Sequence, residues 1–264
     1  MAKRRNSAIP KSIAIGLIAI FASSSGCAKD QSLVPPMDSE QVTVRIKVPP
    51  ELKADTMEVM YRSTLCTFTD HNAYSEPYQR DGYQKMDIPP SRRGQSDIYE
   101  ARLPKNGGGE CQWRLSNVTF GVSYIDPARF GKGVQYGTGG GVIVIFDEND
   151  SPRGGANTKA DGDLVIKESY YPWLDEQFLV QRKKTINLAG ATNSYVKHQA
   201  QSAKNIYFEP TLYSNYTVSS TGPKSMNGDP TVFIYPDGTN LANGDFEPRF
   251  EKLEGIRLAA EKKK

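Results

Sequence analysis

Val42, Val44, Ile46 and Val48 alternate with Thr43, Arg45 and Lys47, and Pro49-Pro50 ends the run. A period of two puts every apolar side chain on one face of an extended strand, and only a sheet buried on that face satisfies the pattern. The signature recurs. Residues 57–61 lead into Cys66 as a second strand, residues 98–103 form another that stops at Pro104, and residues 106–109 (NGGG) read as a turn. Residues 111–124 keep the period across Gly121, as one long strand or one bent there. Residues 142–146 (VIVIF) form a β-branched run typical of a strand buried on both faces. Further strands are expected at 164–166, 178–188, 206–208, 213–218 and 232–235. Helical spacing occurs at 248–261, where Phe250, Leu253, Ile256 and Leu258 share a face and Gly255 weakens the helix. The expected fold is mainly β: an antiparallel β-sandwich with a short C-terminal helix. Residues 70–96 are polar and read as a long loop, or two loops around a short strand near 86–88.

Composition narrows the class. Hydrophobic residues make up 38% of the 264, and 14 are Tyr, which excludes a disordered chain and a polytopic membrane protein. Three Cys exclude a disulfide-dense scaffold, and two His leave little for a His-rich metal site. The formal charge of +3 comes from the N-terminus. Residues 1–26 hold Lys3, Arg4, Arg5 and Lys11 and no acid, so the rest carries 33 − 4 = 29 basic against 30 acidic residues, a net of −1. A nucleic-acid partner is not expected.

The N-terminus reads as an address. Lys3-Arg4-Arg5 precedes a short apolar run at 13–22, then Ser23-Ser24-Ser25-Gly26-Cys27. The apolar run is too short for a bilayer core that needs about 20 residues, so it reads as a secretory leader. Ser24-Ser25-Gly26-Cys27 resembles the lipobox of bacterial lipoproteins, with Ser24 where that family usually has Leu. The resemblance implies acylation of Cys27 as the first mature residue. By the sorting rule of enteric-type lipoproteins, Ala28 after it implies export to the outer membrane, and the choice between inner and outer membrane differs between species. The expected organisation is a leader at 1–26, the lipidated Cys and a polar tether at 27–40, and one periplasm-facing β-rich domain at 41–264. With Cys27 taken by lipid, Cys66 and Cys111 remain as an even pair, either bridged or as two buried thiols. A bridge would close a loop of about 45 residues and contribute about 4 kcal/mol on the chain-entropy account.

Motifs that carry chemistry are weak. Asn157, Lys159, Asp161, Gly162 and Glu168 follow EF-hand spacing, but Lys159 puts a cation where an oxygen ligand belongs, so a polar hairpin loop is expected, with weak Ca2+ binding at 147–168 left open. Residues 137–141 (GTGGG) precede a strand instead of joining a strand to a helix, which reads as a turn and not a phosphate loop. Gly-x-Ser-x-Gly is absent, and His71 and His198 lie in polar stretches without an evident nucleophile. No catalytic residue, metal or cofactor is expected, and the chain does not read as an enzyme.

Tyrosines in polar contexts point to protein recognition, because their rings give large contact area at small entropic cost. The candidates are Tyr74, Tyr78 and Tyr83 in the 70–96 segment, and Tyr171 and Trp173 in the run Tyr170-Tyr171-Pro172-Trp173. The alternative is that these rings pack against the sandwich rim.

The run 105–118 (KNGGGECQWRLSNV), with Tyr61-Arg62-Ser63 and Cys66 before it, resembles lipoproteins that act as immunity proteins to type VI secretion phospholipases. The similarity covers residues 41–125. It implies a membrane-anchored, periplasm-facing protein that binds an incoming lipase effector and blocks it. A structural or assembly lipoprotein of the envelope is the alternative, and a carbohydrate-binding or hydrolytic lipoprotein a third.

Overall fold

A computed structural model describes residues 29–149, 153, 158–179, 181–192, 194–226, 228, 230–242 and 244–263. The leader and Cys27 lie outside them. In chain order the strands are β1 (Gln41–Lys47), β2 (Leu52–Ala54), β3 (Met57–His71), β4 (Pro77–Ile88), β5 (Ser91–Arg92), β6 (Ile98–Pro104), β7 (Asn106–Gly108) and β8 (Trp113–Tyr124). A 3-10 turn, Pro127–Phe130, follows. Then come β9 (Val134–Tyr136), β10 (Gly141–Ile145), β11 (Thr158–Lys159), β12 (Leu164–Gln177), β13 (Lys183–Ala189) and β14 (Tyr195–Gln199). The chain ends with β15 (Asn205–Leu212), β16 (Val218–Thr221), β17 (Val232–Ile234), β18 (Asn240–Leu241) and one helix, α1 (Phe250–Glu261).

These strands form two sheets. One runs β18-β17-β16-β12-β15-β1-β6-β5, with β13 and β9 branching from β12. The other runs β11-β14-β10-β8-β3-β4, with β2 and β7 on β8. Val42, Val44 and Ile46 of β1 are fully buried, as their alternation requires, and pack with Phe208 of β15 against Val118, Phe120, Val142 and Val144 of the second sheet. The Phe120 and Phe208 rings meet edge to face at 6.0 Å across that interface. All five residues of β10 are buried, because β10 is central in its sheet, between β8 and β14.

The architecture is sandwich-like, as expected, but the sheets are mixed and not purely antiparallel. β1 pairs antiparallel with β6 and parallel with β15, placing Ile46 beside Tyr99 on one side and Phe208 on the other. β10–β14, β12–β15 and β12–β16 are also parallel. Parallel neighbours cannot be joined by a tight hairpin. Here they come from segments far apart in the chain.

β12 joins the main core to a smaller one. Its first half pairs with β15, and its second half with β13 and β16. Around that second half Tyr171, Trp173, Val218, Phe233 and Tyr235 bury Leu253 of α1. The helix starts at Phe250, within the expected span, and is held by this cluster.

Candidate recognition arm

Residues 70–96 are not a long loop. β3 runs on to His71 and β4 returns from Pro77, so the two strands project as an antiparallel ribbon. Near the sheet, β3 buries Met57, Val59, Tyr61 and Ser63 on one face. From Thr64 to Arg80 no residue is buried. The register shifts between Ser63 and Phe68, and this irregularity marks where the ribbon leaves the body.

Three contacts brace the base. Cys66 and Cys111 form a disulfide with Cα atoms 5.4 Å apart, joining β3 to the turn that precedes β8. The Ser63 hydroxyl donates to the Cys111 carbonyl and accepts from the backbone N–H groups of Leu65 and Cys66 at 3.0 and 3.2 Å. Gly82 lies under the bend, where an added Cβ would fall 1.7 Å from the Cys66 carbonyl oxygen, so only glycine lets the backbones approach this closely.

The shaft carries its own polar lattice. Phe68 and Tyr83 meet edge to face at 5.6 Å, and the Arg80 guanidinium lies 5.7 Å from the Phe68 ring centre. Arg80 also pairs with Asp70 at 2.8 Å, and the Tyr78 hydroxyl donates to the same carboxylate at 3.3 Å. The Arg80 hydrogen bond holds the Asp70 carboxyl below its usual range. Asn72 organises the tip. Its side-chain oxygen accepts from the N–H groups of Tyr74 and Glu76 at 2.9 and 3.0 Å, an arrangement typical of Asn in tight turns.

Tyr74, Tyr78 and Tyr83 are thus gathered on one ribbon and are 85%, 43% and 57% exposed. Tyr171 and Trp173 are elsewhere, and their expected loop context is corrected. Both lie on β12, 0% and 8% exposed. The Tyr171 hydroxyl donates to Glu254 and accepts from Arg257 at 3.0 Å, while Arg257 pairs with Glu254 at 2.7 Å. Burial and the Glu254 contact push the Tyr171 phenol up. The Trp173 indole donates to Ser220 at 2.7 Å. These groups dock α1 and β16. Pro172 gave the run a loop-like look, although it sits where β12 exchanges one neighbour for another.

The segment expected as a tether is partly docked. The Val34 N–H donates to the Gly107 carbonyl at 2.9 Å, the Asp30 N–H to the Glu110 carboxylate at 3.0 Å, and the Trp113 indole to the Gln31 carbonyl at 3.0 Å. Leu33 packs on the main core.

The remaining sequence candidates do not converge. Asn157 lies outside the described residues, and Glu168 sits on β12 with its carboxyl pushed up by burial. Among the described residues no group of three or more metal-binding side chains occurs. Gly139, in the glycine run, has φ of 101° and packs directly on the Leu188 carbonyl, a close approach of the β9–β10 connection to β13. His71 ends β3 and is exposed. His198 is part-buried on β14. Neither of its ring nitrogens has a hydrogen-bond partner among the described residues, and burial lowers its pKa from 6.5. No helix among the described residues is long and apolar enough to cross a membrane. No protein-family model, curated protein or solved structure matches the chain.

Proposed function

We propose that this chain is a lipid-anchored, periplasm-facing lipoprotein of the outer membrane that binds a toxic phospholipase effector and neutralises it without turnover. The observation that carries the reading is the β3–β4 arm. Three exposed tyrosines sit on a ribbon whose base is covalently fixed to the body. A braced arm loses little freedom on binding, which preserves affinity. The lipobox-like Ser24-Ser25-Gly26-Cys27 supports the compartment in this reading, and the resemblance of residues 105–118 to phospholipase-immunity lipoproteins supports the partner class. A lipase acts at the membrane surface, and an inhibitor confined to that surface meets it at raised effective concentration.

The test is a contact-dependent competition on solid medium between a deletion strain and its parent. Killing of the deletant by the parent, but not by a secretion-dead parent, is the expected result. Complementation with Tyr74→Ala, the tyrosine at the tip of the arm, then fails to protect, although the variant accumulates normally. Coexistence of the two strains, with altered detergent sensitivity in the deletant alone, would reject immunity and favour an envelope-maintenance role.

A further inference from the structure

The two sheets end very differently at their margins. Among the described residues, β5, β11 and β18 are two residues long, and the branch strands β2, β7 and β9 are three. Short terminal strands are a usual way to stop sheets from adding further strands. β4 breaks that pattern. It ends its sheet with 12 residues, pairs only with β3, and leaves its other side unpaired along Pro77–Ile88. The half-buried Met86 and Ile88 sit on the same margin, at the rim of the main core.

We infer that β4 pairs antiparallel with β4 of a second copy of this chain, centred on Tyr83. The choice of a second copy rests on charge. With Tyr83 opposite Tyr83, residues 78–88 of both copies overlap, Asp81 of each faces Lys85 of the other, and Gln79 faces Asp87. Lys85 already bridges Glu58 and Asp87 at 2.8 and 3.1 Å within its own copy, so a further carboxylate completes a run of alternating sign. In the same register Tyr78 of one copy lies opposite Ile88 of the other, and Arg80 opposite Met86. Other registers lose this. A shift of two residues sets Asp81 against Asp87 in one direction and leaves Lys85 opposite Gln79 in the other. A slip of one residue sets the core face of one copy beside the solvent face of the next. The pairing goes beyond the immunity reading and holds whatever the lipoprotein binds. Tyr74 stays free at each tip.

The test is cysteine cross-linking of the full chain in isolated membranes, under mild oxidation, read on non-reducing gels. The unaltered chain, whose Cys66 and Cys111 are paired, is the blank. Tyr83→Cys is expected to give a dimer band, because directly opposed residues have Cβ atoms about 5 Å apart. Gln79→Cys and Asp87→Cys should cross-link to each other when co-expressed, and neither to itself. Asp81→Lys in the Tyr83→Cys background should cut the dimer about tenfold, as two opposite-charge contacts become like-charge ones, and adding Lys85→Asp should restore it. Sedimentation of the unaltered full chain in density-matched detergent should give a dimer and needs no variant. A monomer there, no Tyr83→Cys band above the blank, or equal bands from all three single variants would overturn the inference. No lipase enters any arm, so this outcome and that of the competition are read separately.

Discussion

The indole N–H of Trp113 donates to the carbonyl of Gln31 at 3.0 Å, tying the start of the described chain to the first residue of β8. Only Ala28, Lys29 and Asp30 separate Gln31 from Cys27. An acyl group on Cys27 would therefore hold the domain, and the arm base beside Trp113, within a short reach of the bilayer, since each extended residue spans at most about 3.5 Å.

Trp113→Phe should free this segment while keeping the ring in place. A hydrogen bond of this kind contributes about 1 kcal/mol net. Trypsin cleavage after Lys29, followed by mass spectrometry of the purified full chain, should accelerate about fivefold. An unchanged rate would mean that the Asp30–Glu110 hydrogen bond, Leu33 and Val34 hold the segment without it.

The disulfide should contribute more than any single contact of the arm. Cys66→Ser/Cys111→Ser removes a cross-link closing a span of 45 residues, and the chain-entropy account puts the loss at about 4 kcal/mol. Denaturant unfolding should show a lower midpoint. Hydrogen exchange should rise first at residues 64–81, which the bridge braces and no hydrophobic core covers.

Tyr171 and Tyr74 should separate cleanly. Tyr171→Phe removes the hydroxyl shared by Glu254 and Arg257 and should cost about 1–3 kcal/mol, because two charged partners lose a contact. Exchange protection of α1 should fall while protection against the effector is unchanged. Tyr74→Ala should do the reverse: a ring 85% exposed contributes little to folding. Loss of protection in Tyr171→Phe at normal protein levels would return Tyr171 to the recognition set.

Acid should weaken the fold through His198. Its folded pKa lies below the ordinary 6.5 because burial disfavours the charged ring. Below 6.5 the unfolded chain binds a proton that the folded chain resists, so stability falls as pH drops toward the folded value. The part-buried carboxyls of Asp55 and Glu168 are shifted up by desolvation and act with the opposite sign on acidification. The diagnostic is therefore a difference: between about pH 7.5 and pH 5.5 the wild-type melting temperature should fall relative to that of His198→Leu. Parallel curves would refute the assignment.

Much of the body was legible because burial writes itself into spacing. The alternation at Val42–Val44–Ile46 gives β1 with its core face, and the apolar run at 142–146 gives a central strand. The arm was not legible for the same reason. Beyond Ser63 and Gly82 neither face is buried, so no apolar period forms and the polar segment reads as a loop. There, pairing with β3 makes the strand, not local preference. Strand direction was hidden too: β1 has one residue pattern, yet meets β6 antiparallel and β15 parallel. Tyr171 and Trp173 failed differently. Aromatic residues beside a proline look like a surface loop until α1 is known to cover them.

The brace under the arm is set by oxidation and not by folding alone. Until Cys66 and Cys111 close, the ribbon is joined to the body by strand pairing and small polar contacts. A chain retained among reducing thiols would carry the same side chains on a looser mount. In the proposed periplasmic role, competence to bind would be acquired on export, and the moment of synthesis would be separate from the moment of readiness.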